Sequence, residues 1–181
     1  QTPDAFPVFV RPVDGAGGAG ARRIDDPADL PADETLLVQA FDDGPEYTVD
    51  VLMSLDGAPL QALARRRLQV QGGEATKSRT EDLPTLAGQA LRLCAALGLV
   101  GHNVVQAFHD ETGTRFIEIN PRFGGASNLS IQAGLASPER ILQMARGQAA
   151  EAARPRALAY GLTMLRYSQD RIVTDAELAA L

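Results

Sequence analysis

The stretch Phe116-Ile117-Glu118-Ile119-Asn120-Pro121-Arg122 decides how the fold is interpreted. Its alternation is typical of a β-strand, on which successive side chains point to opposite faces. The two isoleucines would lie on one face, and Phe116, Glu118 and Asn120 on the other. A carboxylate and an amide two residues apart offer the oxygen ligands that Mg²⁺ prefers. Arg122 follows the strand, where its planar cation can reach phosphate oxygens.

A second predicted strand, Val104–Phe108, precedes this stretch and would form a hairpin with it. A three-residue loop pairs Asp110 with Thr114, and that register places Gln106 opposite Glu118. Cross-strand partners share a face, with Cβ atoms about 5 Å apart. With the amide two residues after Glu118, the hairpin carries a polar cluster that is either a metal site or a solvated face. The spacing alone leaves both interpretations open.

Length, composition and charge limit the class of protein. The 181 residues are enough for one large domain or two small lobes with a real core. A net charge of −6 argues against non-specific nucleic-acid binding, which needs a basic surface. The sequence has no apolar run long enough to span a membrane, and we expect no signal peptide because none is visible in it. We therefore expect a cytoplasmic protein without nucleic-acid or membrane partners, in which Cys94 is a buried, inert thiol.

The first forty residues predict a hairpin with a glycine-rich tip. Residues 6–12 are typical of a strand that carries a cation, Arg11, near its end. Residues 15–20 contain four glycines, and such a loop can bring backbone N–H groups close to phosphates. Residues 21–24 would form the return strand. The loop lacks the Gly-Lys-Ser/Thr ending of a Walker P-loop, so it is either a phosphate-binding loop or a flexible one without a ligand.

The central part of the chain predicts an antiparallel sheet. Residues 35–41 are interpreted as a buried strand, and residues 46–55 and 60–70 as a hairpin. Three consecutive arginines, 65–67, are more typical of a solvated edge, with one face at most directed at a site. Residues 71–80 have no periodicity and are interpreted as a mobile loop, from which Lys77 and Arg79 could close over a ligand.

Helices and a last strand complete the pattern. An amphipathic helix is predicted over residues 81–97, with Leu97 in its buried stripe. A short helix follows over residues 127–133, and another begins with Ser137 as its N-cap. Residues 157–167 have the composition of a last strand. Neither of the two histidines is favoured as a general base.

The order of these signals resembles the ATP-grasp superfamily, and most closely the ATP-binding part of carbamoyl-phosphate synthetase large subunits. The likeness covers about residues 6–147 and is strongest at Glu118-Ile119-Asn120-Pro121-Arg122 with the upstream Gln106. It implies an α+β fold in which two lobes with antiparallel sheets clamp a nucleotide. The expected division is a small lobe over residues 1–41, a large lobe with the Mg-ATP site over 42–150, and a C-terminal segment, 151–181, packing on the large lobe.

The resemblance also implies roles for individual residues. Arg11 stands where most ATP-grasp proteins have Lys and carbamoyl-phosphate synthetases have Arg, so it points to that branch and to phosphate binding. Glu46 resembles the residue that binds the ribose hydroxyls, and Arg122 the phosphate-stabilising, catalytic arginine. The implied phosphate loop contains Gly17, Gly18 and Gly20. The implied hinge that contacts adenine consists of Gln39, Ala40 and Phe41. The implied ligands of Mg²⁺ (or Mn²⁺) are Gln106, Glu118 and Asn120.

The implied activity is that of an ATP-dependent carbon–nitrogen ligase. ATP and Mg²⁺ would convert a carboxylate into an acyl phosphate, which an amine or similar nucleophile then attacks. The resemblance implies an N-terminal domain that we do not expect within these residues. We therefore expect an ATP-binding fragment with weak or no turnover alone, which could form a homodimer. The alternatives are a non-catalytic nucleotide sensor with the same fold, for which Ala40 leaves room, and a structural domain with a vestigial site.

Overall fold

Two antiparallel sheets and a few helices make up the α+β fold of the computed structural model, which describes residues 5–14 and 19–178. The helices are short apart from α1 and α3. In chain order the elements are β1 (Val8–Pro12), β2 (Arg22–Ile24), a 3-10 turn (Pro27–Asp29), β3 (Leu36–Ala40), β4 (Glu46–Met53), β5 (Pro59–Gln71), β6 (Glu74–Glu81), α1 (Pro84–Ala96), β7 (His102–Asp110), β8 (Gly113–Asn120), α2 (Ser127–Ser130), a π-helical turn (Ile131–Leu135), α3 (Ser137–Ala145), α4 (Ala149–Ala152), β9 (Thr163–Leu165) and α5 (Asp175–Leu178).

The larger sheet has six strands in the order β8-β7-β4-β5-β6-β9. Helix α1 covers one of its faces, where Leu86, Ala90 and Cys94 pack against apolar residues of β4, β5 and β7. Burial raises the pKa of the Cys94 thiol to about 11, in agreement with the predicted inert thiol. The helix begins at Pro84, three residues later than predicted, and Leu97 lies past its end and is exposed instead of buried.

The smaller sheet has the order β2-β1-β3 and confirms the predicted hairpin around the glycine-rich segment. Val8, Val10 and Ile24 form its core. Strand β3 was predicted to be buried, but it is only partly covered. The reason is its place at the edge of the sheet, where Val38 alone of its residues packs against that core.

Strand β6 corrects the prediction of a mobile loop over residues 71–80. Gly72 and Gly73, both with positive φ, make the turn, and the chain returns along β5. Ala75, Ser78 and Thr80 are buried, whereas Lys77 is exposed. Strand β6 also pairs with β9, so long-range contacts stabilise it. Its polar sequence alone does not predict a strand.

The β7–β8 hairpin reaches the predicted pairing by a different route. The turn is shorter than predicted, because Asp110 pairs with Gly113 rather than with Thr114. A bulge then adds one residue to β8 between the partners of Gln106 and Ala107, which restores the pairing of Gln106 with Glu118.

That bulge also changes which side chains share a face. Phe116 lies opposite Ala107, which belongs to the core under α1, so the predicted grouping of Phe116 with Glu118 is wrong. Ile117 lines the same cleft as Glu118, whereas Ile119 packs against the α1 core as predicted.

Helices α2 to α4 follow the hairpin and cover one end of the large sheet. Leu135 and Met144 pack there against Leu52 of β4. Ser137 is the first residue of α3 rather than its N-cap, and the N-cap position is taken by Ala136, whose φ is 45°. None of the helices in residues 5–14 and 19–178 has the length and apolar character needed to cross a membrane.

Candidate functional site

A cleft of about 690 Å³ lies between the two sheets, a size usual for sites that bind small molecules. Phe9 and Arg11 of β1 line it from the small sheet. The face of the large sheet opposite α1 lines it from the other side, together with the β5–β6 turn at residues 72–75 and the loop at residues 124–126.

Three of the predicted residues form a connected chain at the β8 side of the cleft. Asn120 Nδ2 donates to a carboxylate oxygen of Glu118, and Arg122 Nη2 donates to Asn120 Oδ1 at 3.3 Å. Gln106 lies directly opposite Glu118, and all four side chains line the cleft. The structure therefore brings together the proposed metal ligands and the proposed phosphate-stabilising arginine.

Glu46 lines the same cleft and is held by a cation. Its carboxylate oxygen Oε1 lies 2.9 Å from Arg67 Nε in an ion pair. Burial raises the pKa of Glu46 above its usual value, Arg67 counteracts this rise, and the neighbouring charge of Glu118 adds to it. Arg67 Nη2 also donates to the carbonyl of Gly73 at 2.9 Å, so the ion pair is tied to the β5–β6 turn.

The other predicted residues are placed less uniformly. Arg11 reaches the cleft and donates through Nε to Gln39 Oε1 at 3.3 Å. Gln39 itself and the neighbouring Ala40 and Phe41 do not line the cleft, and the Phe41 ring lies under the guanidinium of Arg23 instead. Gly20 is not in the cleft lining either. The predictions for Gly17 and Gly18 lie outside the described residues.

A buried charged network lies beneath the end of the cleft, centred on Asp50 of β4. Its carboxylate accepts from Arg65 Nε at 2.5 Å and from the hydroxyls of Ser127 and Ser130. Arg65 and Ser130 contact Oδ2 of this carboxylate, whereas Ser127 contacts Oδ1, which also lies 3.1 Å from His102 Nε2. Burial alone would raise the pKa of Asp50, but the charge of Arg65 and the hydrogen bonds from His102 and Arg65 outweigh it and lower the pKa below its usual range.

Sequence reasoning missed this network and the role of the arginines next to it. The prediction of a solvated edge for residues 65–67 is wrong for Arg65, because β5 lies inside the sheet and the side chain is buried. A signal was present in β4, where the polar residues Glu46, Thr48 and Asp50 alternate with apolar ones. Such alternation predicts one polar face on an otherwise buried strand.

A smaller pocket of about 310 Å³ lies between β5 and the start of α1. Its lining contains two carboxylates, Glu81 and Asp82, and no basic side chain. It therefore offers nothing to balance a polyphosphate, in contrast to the cleft with its four arginines. Residues 5–14 and 19–178 contain no cluster of three or more His, Cys, Asp or Glu side chains that could hold a metal ion.

Residues 32–169 match the sequence model of a family described as "ATP-grasp in the biosynthetic pathway with Ter operon". This match covers more than half of the chain. The chain belongs to this ATP-grasp family. The predicted membership of the superfamily and the α+β fold are both confirmed.

Solved structures share the fold of this ATP-grasp chain at low sequence identity. Biotin carboxylase from Campylobacter jejuni, in complex with βγ-ATP, has a TM-score of 0.67 and 17% identity over 85% of the chain and 40% of its own. The biotin carboxylase domain of the Hydrogenobacter thermophilus 2-oxoglutarate carboxylase, with MgADP, ADP and bicarbonate, has a TM-score of 0.59 and 19% identity, over 91% of the chain and 38% of its own. The L-amino acid ligase from Bacillus licheniformis has a TM-score of 0.57 and 20% identity, over 83% of the chain and 43% of its own.

The ATP-grasp chain thus spans about 40% of the length of these proteins. No curated protein sequence matches it. The shared fold and the family are therefore established, whereas the reaction has to be argued from the residues in the cleft.

Proposed function

We propose that the chain is the Mg·ATP-binding part of a ligase that activates a carboxylate as an acyl phosphate, which an amine or similar nucleophile then attacks. The observation that carries the proposal is the meeting of Gln106, Glu118, Asn120 and Arg122 in one cleft with Arg11 facing them from the other sheet. The two sheets would be the two lobes of the clamp, with the boundary near residue 41. Arg11 favours a carbamoyl-phosphate synthetase-like branch.

The donor set fits a Mg²⁺ ion that arrives with nucleotide. Glu118 supplies one carboxylate, and Gln106 and Asn120 supply amide oxygens on the same face. Mg²⁺ is commonly held by one or two carboxylates and substrate phosphates, rather than by a full cage of protein ligands. Bound there, Mg²⁺ would neutralise charge on the phosphates as the γ-phosphoryl group leaves.

The chain's own groups would bind and orient the nucleotide. Arg11 and Arg122 would contact phosphate oxygens and stabilise the negative charge that develops on them. Arg122 is already oriented, because Nη1 donates to the Phe123 carbonyl at 3.0 Å and Nη2 donates to Asn120. Glu46, held by Arg67, would accept hydrogen bonds from the ribose hydroxyls.

Titration calorimetry with Mg·ATP tests the proposal on the wild type and Glu118→Ala. Losing a charged contact costs about 1.5–3 kcal/mol, which corresponds to a loss of affinity of about 10- to 150-fold. Glu111→Ala, which removes an exposed carboxylate at the turn of the same hairpin, is the control and should bind like the wild type. Equal affinity of the wild type and Glu118→Ala would refute the metal assignment.

Turnover separates a ligase from a nucleotide sensor. The ligase predicts Mg²⁺-dependent release of ADP when a protein that contains this chain meets its carboxylate substrate. Nucleotide binding without any such release across carboxylates that range from bicarbonate to amino acids would favour the sensor.

A further inference from the structure

Arg65 is a buried cation in the lining of the cleft, with no role in the nucleotide site described above. Its side chain is 2% exposed. It lies in one cross-strand row with the proposed metal ligands, because Arg65 pairs with Thr48, Thr48 with Gln106, and Gln106 with Glu118. Adjacent strands are about 4.8 Å apart, so the backbones of Arg65 and Gln106 are separated by about 10 Å. Thr48 lies between them in this row.

The contacts of Arg65 fix one part of its guanidinium and leave another part open. Nε donates to Asp50, and Nη1 lies 3.5 Å from the hydroxyl of Ser78. None of the described residues accepts a hydrogen bond from Nη2. Nη2 is nevertheless not a fully buried atom without a partner, so it retains some exposure. A guanidinium carries five N–H donors in a rigid fork, so the remaining donors face the cleft that Arg65 lines.

Asp50 holds the Arg65 guanidinium in a fixed position before any ligand binds. The lowered pKa of Asp50 keeps its carboxylate ionised, which compensates Arg65 in the protein interior. The same carboxylate accepts from Ser127, whose hydroxyl oxygen in turn accepts from the Gly124 N–H at 2.9 Å. One buried anion thus holds both Arg65 and the loop at residues 124–126, which also lines the cleft.

We propose that Arg65 and the loop at residues 124–126 bind the carboxylate of the acceptor substrate, beside the phosphates and above Thr48. The proposal rests on the proposed function. In the transfer, an oxygen of that carboxylate forms a bond to the γ-phosphorus while the bond to the β,γ-bridging oxygen breaks and ADP leaves. Because Arg65 is fixed before binding, little side-chain entropy is lost when the carboxylate binds.

The test follows the Arg65 Nε–H signal in ¹H–¹⁵N spectra of the full chain, identified by its loss in Arg65→Lys. Acetate and bicarbonate are titrated through the millimolar range as carboxylate probes, with and without MgADP, and MgADP is titrated separately. We expect a saturable shift with acetate or bicarbonate. In the variants, binding of the probe is followed through the backbone N–H signals of residues 124–126. Arg65→Lys keeps the positive charge but loses the planar guanidinium, and should weaken binding of the probe by about tenfold or more. Arg66→Lys is the matched control and should bind like the wild type, because the Arg66 side chain is exposed and lies on the opposite face of the same strand, away from the cleft.

Two outcomes would overturn the proposal: a shift with MgADP but none with either carboxylate, or equal probe affinity in Arg65→Lys and the wild type. If Arg65→Lys does not fold, the wild-type titration decides alone. A carboxylate-induced shift in a protein that fails to bind MgADP would refute the nucleotide assignment while supporting the subsite. Normal MgADP binding without a carboxylate shift would refute the subsite and leave the proposed function standing.

Discussion

Replacement of Asp50 by asparagine tests how the floor of the cleft is built. The carboxylate is completely buried and accepts from Arg65, Ser127 and Ser130. An asparagine has one acceptor oxygen and turns the other position into a donor, so at least one of these donors would lose its partner. More importantly, Arg65 would be left as an uncompensated charge in the protein interior.

Breaking a buried ion pair by removing one partner typically costs about 3–5 kcal/mol. The free energy of unfolding of a native protein is typically about 5–15 kcal/mol, so Asp50→Asn should lose a large fraction of the total stability. Urea unfolding followed by circular dichroism measures the difference. Asp43→Asn, which removes an exposed carboxylate just before β4, is the control and should unfold like the wild type. A loss of less than about 1 kcal/mol for Asp50→Asn would refute the reasoning.

The same pair predicts a pH dependence with a defined sign. Because the pKa of Asp50 is lowered in the folded protein, its stabilising contribution is present above the unfolded pKa of about 3.9. It is lost as the pH falls further, towards the folded pKa. The difference in stability between wild type and Asp50→Asn should therefore be constant from pH 7 to about pH 5 and shrink below about pH 4. A difference that shrinks between pH 7 and pH 5 would show that another group dominates.

Three further perturbations test separate parts of the structure. Gly134→Ala should lower the free energy of unfolding in urea by about 2–4 kcal/mol, because φ is 106° and a Cβ would clash with the Ala157 carbonyl oxygen; a neutral effect would contradict that clash. Cys94, buried and with a pKa raised to about 11, should not react with a thiol reagent at pH 8 until urea unfolds the protein, and fast native labelling would contradict its burial. Arg67→Met should raise the pKa of Glu46 further, as measured by carboxyl NMR titration, and an unchanged value would exclude the ion pair.

Local sequence was sufficient for the part of the fold that short-range pattern determines. Alternation identified the hairpin strands, and the Gln106–Glu118 pairing was correctly predicted although the turn was not. The agreement came from two compensating differences, a shorter turn and a bulge. A bulge depends on how a strand bends within its sheet, and the alternation of side chains does not encode it. The register was therefore predicted correctly only from the Gln106–Glu118 pair to the end of β8, which is the part nearest the site.

Strand β6 and the Asp50 network were missed because long-range contacts decide them. The pairing of β5 with β6 has irregularities between Arg67 and Val70, which interrupt the two-residue period that a sequence reading relies on. Asp50 belongs to the polar face of β4, but its partners come from β5, β7 and α2, as distant in sequence as Ser130. No local pattern announces that such elements will meet at one carboxylate.

The missed residues differ in kind from the predicted ones. Glu118, Asn120 and Arg122 follow one another within five residues, so a short motif can reveal them. Arg65 lines the same cleft, but its orientation is set by Asp50. A motif search therefore finds the groups proposed to hold the nucleotide before it finds those proposed to bind the acceptor. If Arg65 binds the acceptor, the specificity of this protein is encoded in part by contacts that only the folded sheet creates.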